Sequence, residues 1–463
     1  MKSSQKTSRS QLSVAPASKT VSKAPVGDRP QSSPGLFENS SLTKVTSSLP
    51  IWEASNILTQ RQQLPWSTDP DGRLSYSRDV TVNDGQGAIC FWVADNTDEE
   101  RPSTLAGAAA LAVIDTFDIR AACMHLIFAA CASQMERPWE QDLVINDRQI
   151  ESYLGLQHRT DKNRREKLAL IEEIVKQPCK ITTFISWPGQ GRRKKFTVEE
   201  GRLWHLLGTR YHYQQDLFGD KQVTGMSFTV RAGLWAKYFL HEEDSQESKL
   251  TGSQGVLSKS LLESVTGLWQ HRAGAARLMV WLMFKSQLSQ LYTISVSTLM
   301  EVAYGTEKIR EAQDSNHLRK KLANTWDGDL FVLHDCGWQI KFDSDTYPVD
   351  IQPLGFGRKK SRRPHGFFDR LLAARLEIYP SESWNLAQME AATESFEEVE
   401  TELAAVGLTG ADVKALRASK GWSQRKLATL TGISQGLISM IENGARSITE
   451  DNESILRQTL EYM

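Results

Sequence analysis

The stretch Leu408–Gly444, LTGADVKALRASKGWSQRKLATLTGISQGLISMIENG, carries the strongest structural pattern in the chain. Its apolar residues recur at helical spacing within three short segments, and they are Val413, Leu416, Leu427, Leu430, Ile438 and Ile441. Good N-terminal caps precede the three segments, namely Thr409, Ser423 and Ser434. Between the second and third segments, Gly432 can adopt the positive φ of a tight corner, and Ile433 can fill the joint. The pattern predicts three short helices.

Ala428 is small where the second and third helices must approach closely, which completes a helix-turn-helix pattern. Along its whole length the stretch resembles the lambda-repressor/Cro-type (Xre-like) DNA-binding domain. The resemblance implies that Gln424 binds a backbone phosphate at the start of the second helix. It also implies that four residues of the third helix face the floor of the major groove, namely Ser434, Gln435, Gly436 and Met440. Gln435 can bond bidentately to adenine, so it is the best candidate for base reading.

Arg417 and Glu442 match a pair that bridges the first and third helices in this family. Glu442 lies beside Ile438 and Ile441 on the inner face, so we predict a buried or half-buried ion pair. The alternative for this stretch is a three-helix bundle that contacts only protein, because a fold alone does not establish a function.

The composition is that of a globular protein with disordered parts: 463 residues, 40% hydrophobic, 24% charged and a mean hydropathy of −0.41. The net charge of −1 does not exclude a nucleic-acid partner, because basic and acidic residues are segregated along the chain. The five cysteines show no paired CxxC spacing, which favours a reducing cytoplasm and no zinc site. No long uncharged apolar run and no signal-peptide core are present, so we expect a cytoplasmic protein without a membrane span.

The first 48 residues are rich in Ser, Thr, Pro and Lys, and their only acidic residues are Asp28 and Glu38. This composition predicts a disordered basic arm over residues 1–48.

Residues 100–240 are predicted to form a winged-helix domain with an extension. An apolar helix from Asp118 to Ser133 and a short strand, Leu143–Ile145, precede a helix capped by Asn146 or Asp147. A long amphipathic helix follows, with basic residues in its first two turns: Arg159, Lys162, Arg164, Arg165 and Lys167. Two β-runs, 180–187 and 196–198, then flank a basic hairpin tip formed by Arg192, Arg193, Lys194 and Lys195. Residues 199–240, rich in Trp and Tyr, are expected to be packing between the two halves of the protein.

The same order recurs at residues 255–345, which predicts a second winged helix. An apolar helix, 273–288, and a strand, 292–294, precede a helix capped by Ser295 or Ser297. In the charged segment that follows, Asp314 or Ser315 can restart the helix, and three basic residues cluster there: Arg319, Lys320 and Lys321. The runs 331–333 and 338–342 are predicted to form the hairpin.

Residues 346–405 are predicted to be a connector, and 406–463 the Cro-type domain. The connector carries a basic run in a Gly/Pro setting, expected to be a flexible arm that contacts DNA: Arg358, Lys359, Lys360, Arg362 and Arg363. Ser381–Glu402 is acidic and contains no basic residue, which favours a tether. For each basic cluster the alternative is an ordinary solvated surface.

The sequence contains no phosphate-binding loop, so it indicates no site for ATP hydrolysis. Asp343 and Asp345 superficially resemble a metal-binding pair at the end of a strand, but a turn that closes a hairpin is the preferred interpretation. His125, on an apolar helix face, is expected in the core. The sequence therefore predicts no catalytic residue, no metal and no cofactor.

We therefore expect a mainly α fold with small β hairpins (α+β): two tandem winged helices and a C-terminal helix-turn-helix domain. The tandem arrangement resembles the iteron-binding replication initiators of plasmids over about residues 100–345. That resemblance implies binding to double-stranded origin repeats, help in opening the duplex, recruitment of a host helicase or primase, a homodimer and autorepression. A transcriptional regulator is the alternative, and an enzyme built on Asp343 and Asp345 is a third hypothesis.

Overall fold

The computed structural model describes residues 32–37, 40–82, 85–97, 102–189, 195–215, 221–240, 252–288, 293–359, 362–380, 410–420 and 422–446, and 448–449, 452, 455–456 and 459–460. The chain divides into two compact units, residues 1–387 (unit 1) and 388–463 (unit 2).

Unit 1 is mixed α/β. Its helices are α1 (Leu49–Gln60), α2 (Gly107–Asp115), α3 (Ile119–Ser133), α4 (Asp147–Tyr153), α5 (Arg164–Lys176), α6 (Ala236–Phe239), α7 (Lys259–Leu268), α8 (Ala273–Leu288), α9 (Val296–Tyr304), α10 (Thr306–Asp314), α11 (Asn316–Asp335) and α12 (Phe367–Ala373). Its strands are β1 (Leu42–Ser48), β2 (Ser67–Thr68), β3 (Leu74–Val82), β4 (Gly85–Val93), β5 (Leu143–Asn146), β6 (Ile181–Trp187), β7 (Phe196–Arg202), β8 (Trp204–Gln215), β9 (Lys221–Ala232), β10 (Gly252–Ser258), β11 (Thr293–Ser295), β12 (Gln339–Phe342) and β13 (Arg375–Tyr379). The sheet content exceeds the small hairpins of the predicted fold class.

The first module, which we define as α3, β5, α4, α5, β8 and β9, has the predicted order of helix, strand, helix, helix and hairpin. Asp118 caps α3, and Asn146 forms a capping box with Gln149 at the start of α4. Strands β8 and β9 form a hairpin, and β5 pairs with β9, so the sheet order is β5-β9-β8. The third helix begins only at Arg164, because Asn163 and Glu166 form a capping box there.

The hairpin predicted for this module is wrong, because its two strands belong to a different sheet. Strands β6 and β7 do pair, with Trp187 opposite Phe196, but they extend a five-stranded sheet of order β2-β3-β4-β6-β7. The segment 199–240, predicted to be connecting packing, instead supplies β8 and β9. A local strand pattern identifies a hairpin, but it does not determine which sheet that hairpin joins.

The second module, which we define as α8, β11, α9, α10, α11, β12 and β13, repeats the sheet arrangement, as β11-β13-β12. Its order differs from that of the first module in two places, because α10 is added before α11 and α12 lies between β12 and β13. Ser295 caps α9 and Ser315 restarts the helix at α11, as predicted. The predicted hairpin is wrong, because residues 331–333 lie inside α11 and β12 pairs with β13. The second module therefore extends from residue 273 to residue 379, well beyond the predicted boundary at residue 345.

The N-terminal boundary also differs from the prediction. Strand β1 pairs antiparallel with β10, with Leu42 opposite Ser258, and Leu36 is buried and donates its backbone N–H to the Tyr153 hydroxyl. Residues 32–37 and 40–48 are thus part of unit 1, whereas residues 1–31 of the predicted arm lie outside the described residues.

The modules of unit 1 share a core in which α1 packs against both α3 and α8. His125 of α3 is fully buried, and its Nδ1 accepts a hydrogen bond of 2.8 Å from Trp204 Nε1. Its Nε2 therefore carries the proton and donates to the Ile51 carbonyl at 3.0 Å. This confirms the prediction of a core histidine.

Unit 2 contains α13 (Gly410–Ser419), α14 (Gln424–Thr431) and α15 (Gln435–Glu442). Gly432 has φ +72° at the corner between α14 and α15, and the buried Ile433 fills the joint, as predicted. A Cβ at Gly410 would collide with the carbonyl oxygen of Ile441, so a glycine allows α13 to approach α15 closely. Leu430, which shares the apolar helical spacing, is 39% exposed.

Candidate nucleic-acid interface

Hydrogen bonds to one carboxylate fix the three helices of unit 2. Arg417 Nε and Nη2 donate to Glu442 Oε1 and Oε2 at 2.6 and 2.8 Å, and the side chains are 14% and 1% exposed. Arg417 Nη1 also donates to the Trp422 carbonyl at 2.6 Å, which joins the turn between α13 and α14 to the pair. The predicted buried ion pair is therefore confirmed. It lowers the pKa of Glu442.

Gln424 is not free to contact a phosphate with its whole amide group. Its Nε2 donates to Glu442 Oε2 at 2.8 Å. This bond orients the side chain at the start of α14, where Ser423 caps the helix by accepting from the Lys426 amide. The predicted phosphate contact stays a prediction, with the backbone amides of α14 as its other donors.

The residues predicted to face the major groove are exposed to solvent at the start of α15. Ser434 caps the helix through the Leu437 amide, and Ser434, Gln435 and Gly436 are all exposed. Met440 lies one turn further along α15 and is 41% exposed. Their position opposite the buried Ile438 and Ile441 leaves this face of α15 available to a groove. Thr409, the predicted cap of the first helix, lies outside the described residues.

In the first module, Arg164 joins three elements of the fold through its guanidinium. Its guanidinium forms ion pairs with the buried Asp147 and with Glu151, and it donates to the Thr224 carbonyl at 3.1 Å. Asp147 in turn accepts from the Met226 amide at 2.8 Å, so one cluster joins α4, α5 and β9. These carboxylates neutralise the Arg164 guanidinium, but its side chain is 39% exposed, so the DNA contact stays a prediction.

The other basic residues of the predicted third helix are divided between a loop and the helix. Arg159 and Lys162 precede α5, and Arg159 pairs with Asp161 at 2.7 Å. Arg165 is exposed and Lys167 is half-buried on α5. At the β6–β7 tip, Lys195 is exposed, while Arg192, Arg193 and Lys194 lie outside the described residues.

The β8–β9 hairpin carries candidate contacts that the sequence analysis missed. Arg210 and Lys221 are exposed on it, and Tyr213 is 42% exposed. Tyr211 anchors the hairpin to α5, since its hydroxyl donates to Glu172 at 2.9 Å. The Asp/Gly-containing stretch DLFGD between two β-rich runs was the signal for this hairpin.

In the second module, Arg319 is also structural. It donates to the carbonyl oxygens of Ala312 and Gln313, and these bonds fix the corner between α10 and α11. Lys320 and Lys321 are exposed on the first turns of α11.

The predicted flexible arm is partly buried against α11. Asp327 Oδ2 accepts from Arg358 at 3.1 Å, and Asp327 Oδ1 accepts from Arg363. The Arg358 and Arg363 side chains are only 3% and 7% exposed, which corrects their assignment as DNA contacts. Lys359 and Arg362 are exposed, and Lys360 lies outside the described residues.

These ion pairs bring together two basic clusters that are about forty positions apart in the sequence. Arg363 also donates to Asn324 Oδ1 at 3.3 Å, and Asn324 is one helical turn from Lys320 on α11. We call the set of Lys320, Lys321, Lys359 and Arg362 the α11 basic surface. Its four side chains are exposed.

Comparison with known proteins supports the interpretation of unit 2. Residues 413–452 match the family model HTH_3, Helix-turn-helix. The chain therefore carries a helix-turn-helix domain of the Xre-like DNA-binding kind. No curated protein matches the chain.

Two solved structures, both of domains 2 and 3 of RctB, are similar to the chain. One has a TM-score of 0.36 and 9% identity, and it covers 72% of this chain and 99% of that chain. The other, a selenomethionine derivative, has a TM-score of 0.28 and 12% identity, with coverages of 55% and 77%.

Outside the helix-turn-helix domain, Asp343 and Asp345 form a turn. Asp343 accepts from the Thr346 hydroxyl at 2.6 Å and from the Asp345 amide at 3.3 Å. Within the described ranges, no group of three or more His, Cys, Asp or Glu side chains is arranged to hold a metal ion. No helix in those ranges is both long and apolar enough to cross a membrane.

Proposed function

We propose that this protein binds double-stranded DNA sequence-specifically through its helix-turn-helix domain and through two winged-helix modules in unit 1. The exposed face of α15, backed by the Arg417–Glu442 pair, is the observation that carries the proposal. In this proposal Gln435 reads a base, and Ser434, Gly436 and Met440 line the contact.

The repetition of one arrangement in unit 1 supports the second half of the proposal. In each module the strand after the first helix pairs with the last strand, and the last strand pairs with the one before it. We interpret this shared sheet arrangement as that of a winged helix. The β8–β9 hairpin is then the wing of the first module, and the 343–374 connection takes that place in the second.

In this proposal, exposed basic side chains of the two modules contact phosphates. In the first module they are Arg165, Arg210 and Lys221, and in the second they are the α11 basic surface. Phosphate contacts supply affinity and a steep dependence on salt, whereas base contacts supply specificity. Tethering several weakly binding modules in one chain gives a tight binder by raising the effective concentration.

The tandem arrangement favours a plasmid replication initiator that binds origin repeats, helps to open the duplex and recruits a host helicase or primase. A homodimer and autorepression belong to the same proposal. The helix-turn-helix domain favours a second candidate, a transcriptional regulator that binds an operator.

One plasmid experiment separates these candidates. A plasmid without another origin carries only this gene and its flanking DNA, and a reporter is placed behind the gene's promoter. Autonomous replication, lost in a Gln435→Ala/Arg165→Ala/Lys320→Ala variant that keeps its melting temperature, supports the initiator. Promoter repression without replication contradicts the initiator and supports the regulator.

A further inference from the structure

An open cavity of about 1010 Å³ lies in unit 1 where α1 and β3 face α8, α9 and α10. Its volume is at the upper end of the range for small-molecule sites. Two arginines line it, Arg61 directly after α1 and Arg277 on α8. Two indole rings, those of Trp52 and Trp281, line it as well.

Among the described residues, no carboxylate pairs with either arginine to neutralise its charge. Arg277 donates to the Ala303 carbonyl at 2.7 Å, and Arg61 donates to the Asp115 carbonyl at 3.2 Å. In the part of unit 1 that the structure describes, neither forms an ion pair with a carboxylate. Burial and the nearby positive charge of Arg61 lower the pKa of Arg277 to about 10. An anion between the two guanidiniums would relieve this repulsion.

Hydrogen-bond donors and an acceptor are buried at this cavity and have no protein partner among the described residues. Trp52 Nε1 and Arg61 Nε are donors, and Gln63 Oε1 is an acceptor. Buried polar groups are normally satisfied, so a ligand that both accepts and donates hydrogen bonds would satisfy these three atoms once the side chains that cover them shift. A phosphate alone offers acceptors, whereas a nucleobase with an exocyclic amino group also offers a donor.

The backbone around Arg61 is held in an unusual conformation. Apart from glycines, Arg61 alone among the described residues has a positive φ, of 56°. Its carbonyl accepts from Trp66 Nε1 at 2.8 Å, and Gln63 Nε2 donates to the Tyr304 carbonyl at 3.1 Å. These bonds fix the turn after α1 against α9, so the position of the Arg61 side chain is set by the fold.

The rim of the cavity favours a small ligand over a nucleic-acid strand. Glu301, Glu307 and Glu311 line the opening on α9 and α10, and all three are exposed. Lys308 is the one basic residue lining the cavity on α9 and α10, so the three carboxylates outnumber it and would repel the phosphates of a strand that runs across these helices. A ligand that fits inside the cavity would not meet them.

We infer that this cavity is a nucleotide-binding site, in which Arg61 and Arg277 hold the phosphates and Trp52, Trp281 and Gln63 contact the base. The inference goes beyond DNA binding and does not depend on it. It involves binding only, without a chemical step.

Titration of the full-length protein tests the inference, with calorimetry and tryptophan fluorescence as readouts. The ligands are ATP, AMP, inorganic pyrophosphate and a short single-stranded oligonucleotide. We expect one saturable site for a nucleotide, with pyrophosphate at least tenfold weaker. Absence of saturable nucleotide binding at millimolar concentration, or equal binding of pyrophosphate or of the oligonucleotide at this site, would overturn it.

Two variants locate the site. Arg277→Gln and Arg61→Gly should each weaken nucleotide binding tenfold or more, and the positive φ at position 61 suits glycine, which keeps the second variant folded. Arg231→Gln is the matched control, because Arg231 pairs with Asp142 on the first module and does not line the cavity. Unchanged binding in folded Arg61→Gly protein would contradict the assignment, whatever the DNA affinity of the protein.

Discussion

At the scale of single residues, the Glu442 carboxylate holds α13 and α14 against α15. Replacing Glu442 with Ala leaves Arg417 buried without its partner, so the helix-turn-helix domain should lose about 3 kcal/mol of unfolding free energy. Hydrogen exchange of the amides in residues 410–446 measures this loss. The exposed Arg425→Ala on α14 is the control, and amide protection in Glu442→Ala equal to that of the control would show that the pair contributes nothing.

His125 gives a prediction for unit 1. Burial lowers its pKa from 6.5 to about 4, so the neutral form is favoured in the folded state. The resulting stability is fully present above pH 6.5 and is lost as the pH falls through about 4, in total about 3 kcal/mol at 1.36 kcal/mol per unit. Chemical unfolding at several pH values should show this decrease in unfolding free energy in the wild type. The His125→Gln variant should lack the part of the decrease that comes from His125. If the exposed His365→Gln changed the profile as much, burial of His125 would not be the cause.

At the scale of elements, Asp327 holds the two ends of the basic run 358–363 against α11. Removal of a negative charge normally strengthens DNA binding. Asp327→Asn should instead weaken DNA binding several-fold, because the α11 basic surface loses its arrangement. The exposed Asp345→Asn on the same module removes the same charge and should bind DNA equally or slightly more tightly. Binding assays at fixed salt decide the matter, and equal strengthening by both variants would argue against the role of Asp327.

The helix starts could be predicted from the sequence, whereas the pairing of the strands could not. Caps such as Asn146, Ser295, Ser315 and Ser434 act within one helical turn, so the starts of α4, α9, α11 and α15 were predictable. The sheets depend on pairing between distant segments, as β13 shows by pairing with β12 and β11. The sequence therefore did not predict the β8–β9 hairpin of the first module, although it predicted the order of its helices.

In the candidate site, too, some residue roles could be predicted from the sequence and others could not. The Arg417–Glu442 pair was predicted because the family resemblance specified both partners. The roles of Arg164, Arg319, Arg358 and Arg363 were not predictable, because their partners lie far away in the sequence or on a backbone carbonyl. A basic residue is recognised in a sequence by its charge, but whether that charge is neutralised is decided by the fold.

At the scale of the whole molecule, a net charge of −1 coexists with local basic surfaces. Many of the acidic residues of unit 1 are used internally, as Asp147, Asp327 and Glu172 show through their bonds to Arg164, Arg358 and Tyr211. The charge that DNA would meet is therefore set by exposed residues such as Arg165, Lys320 and Lys359. Local potential governs phosphate binding more than the total charge does.

The salt dependence of DNA binding by the full-length protein is the most direct measurement of this account. On DNA from the gene's own neighbourhood, the logarithm of the binding constant should fall linearly with the logarithm of salt concentration. Lys359→Ala with Arg362→Ala should reduce that slope by about 2, at about 0.9 per phosphate contact. Gln435→Ala should leave the slope unchanged and alter the sequence preference. If the wild type showed no salt-sensitive retention of this DNA, DNA binding would be contradicted.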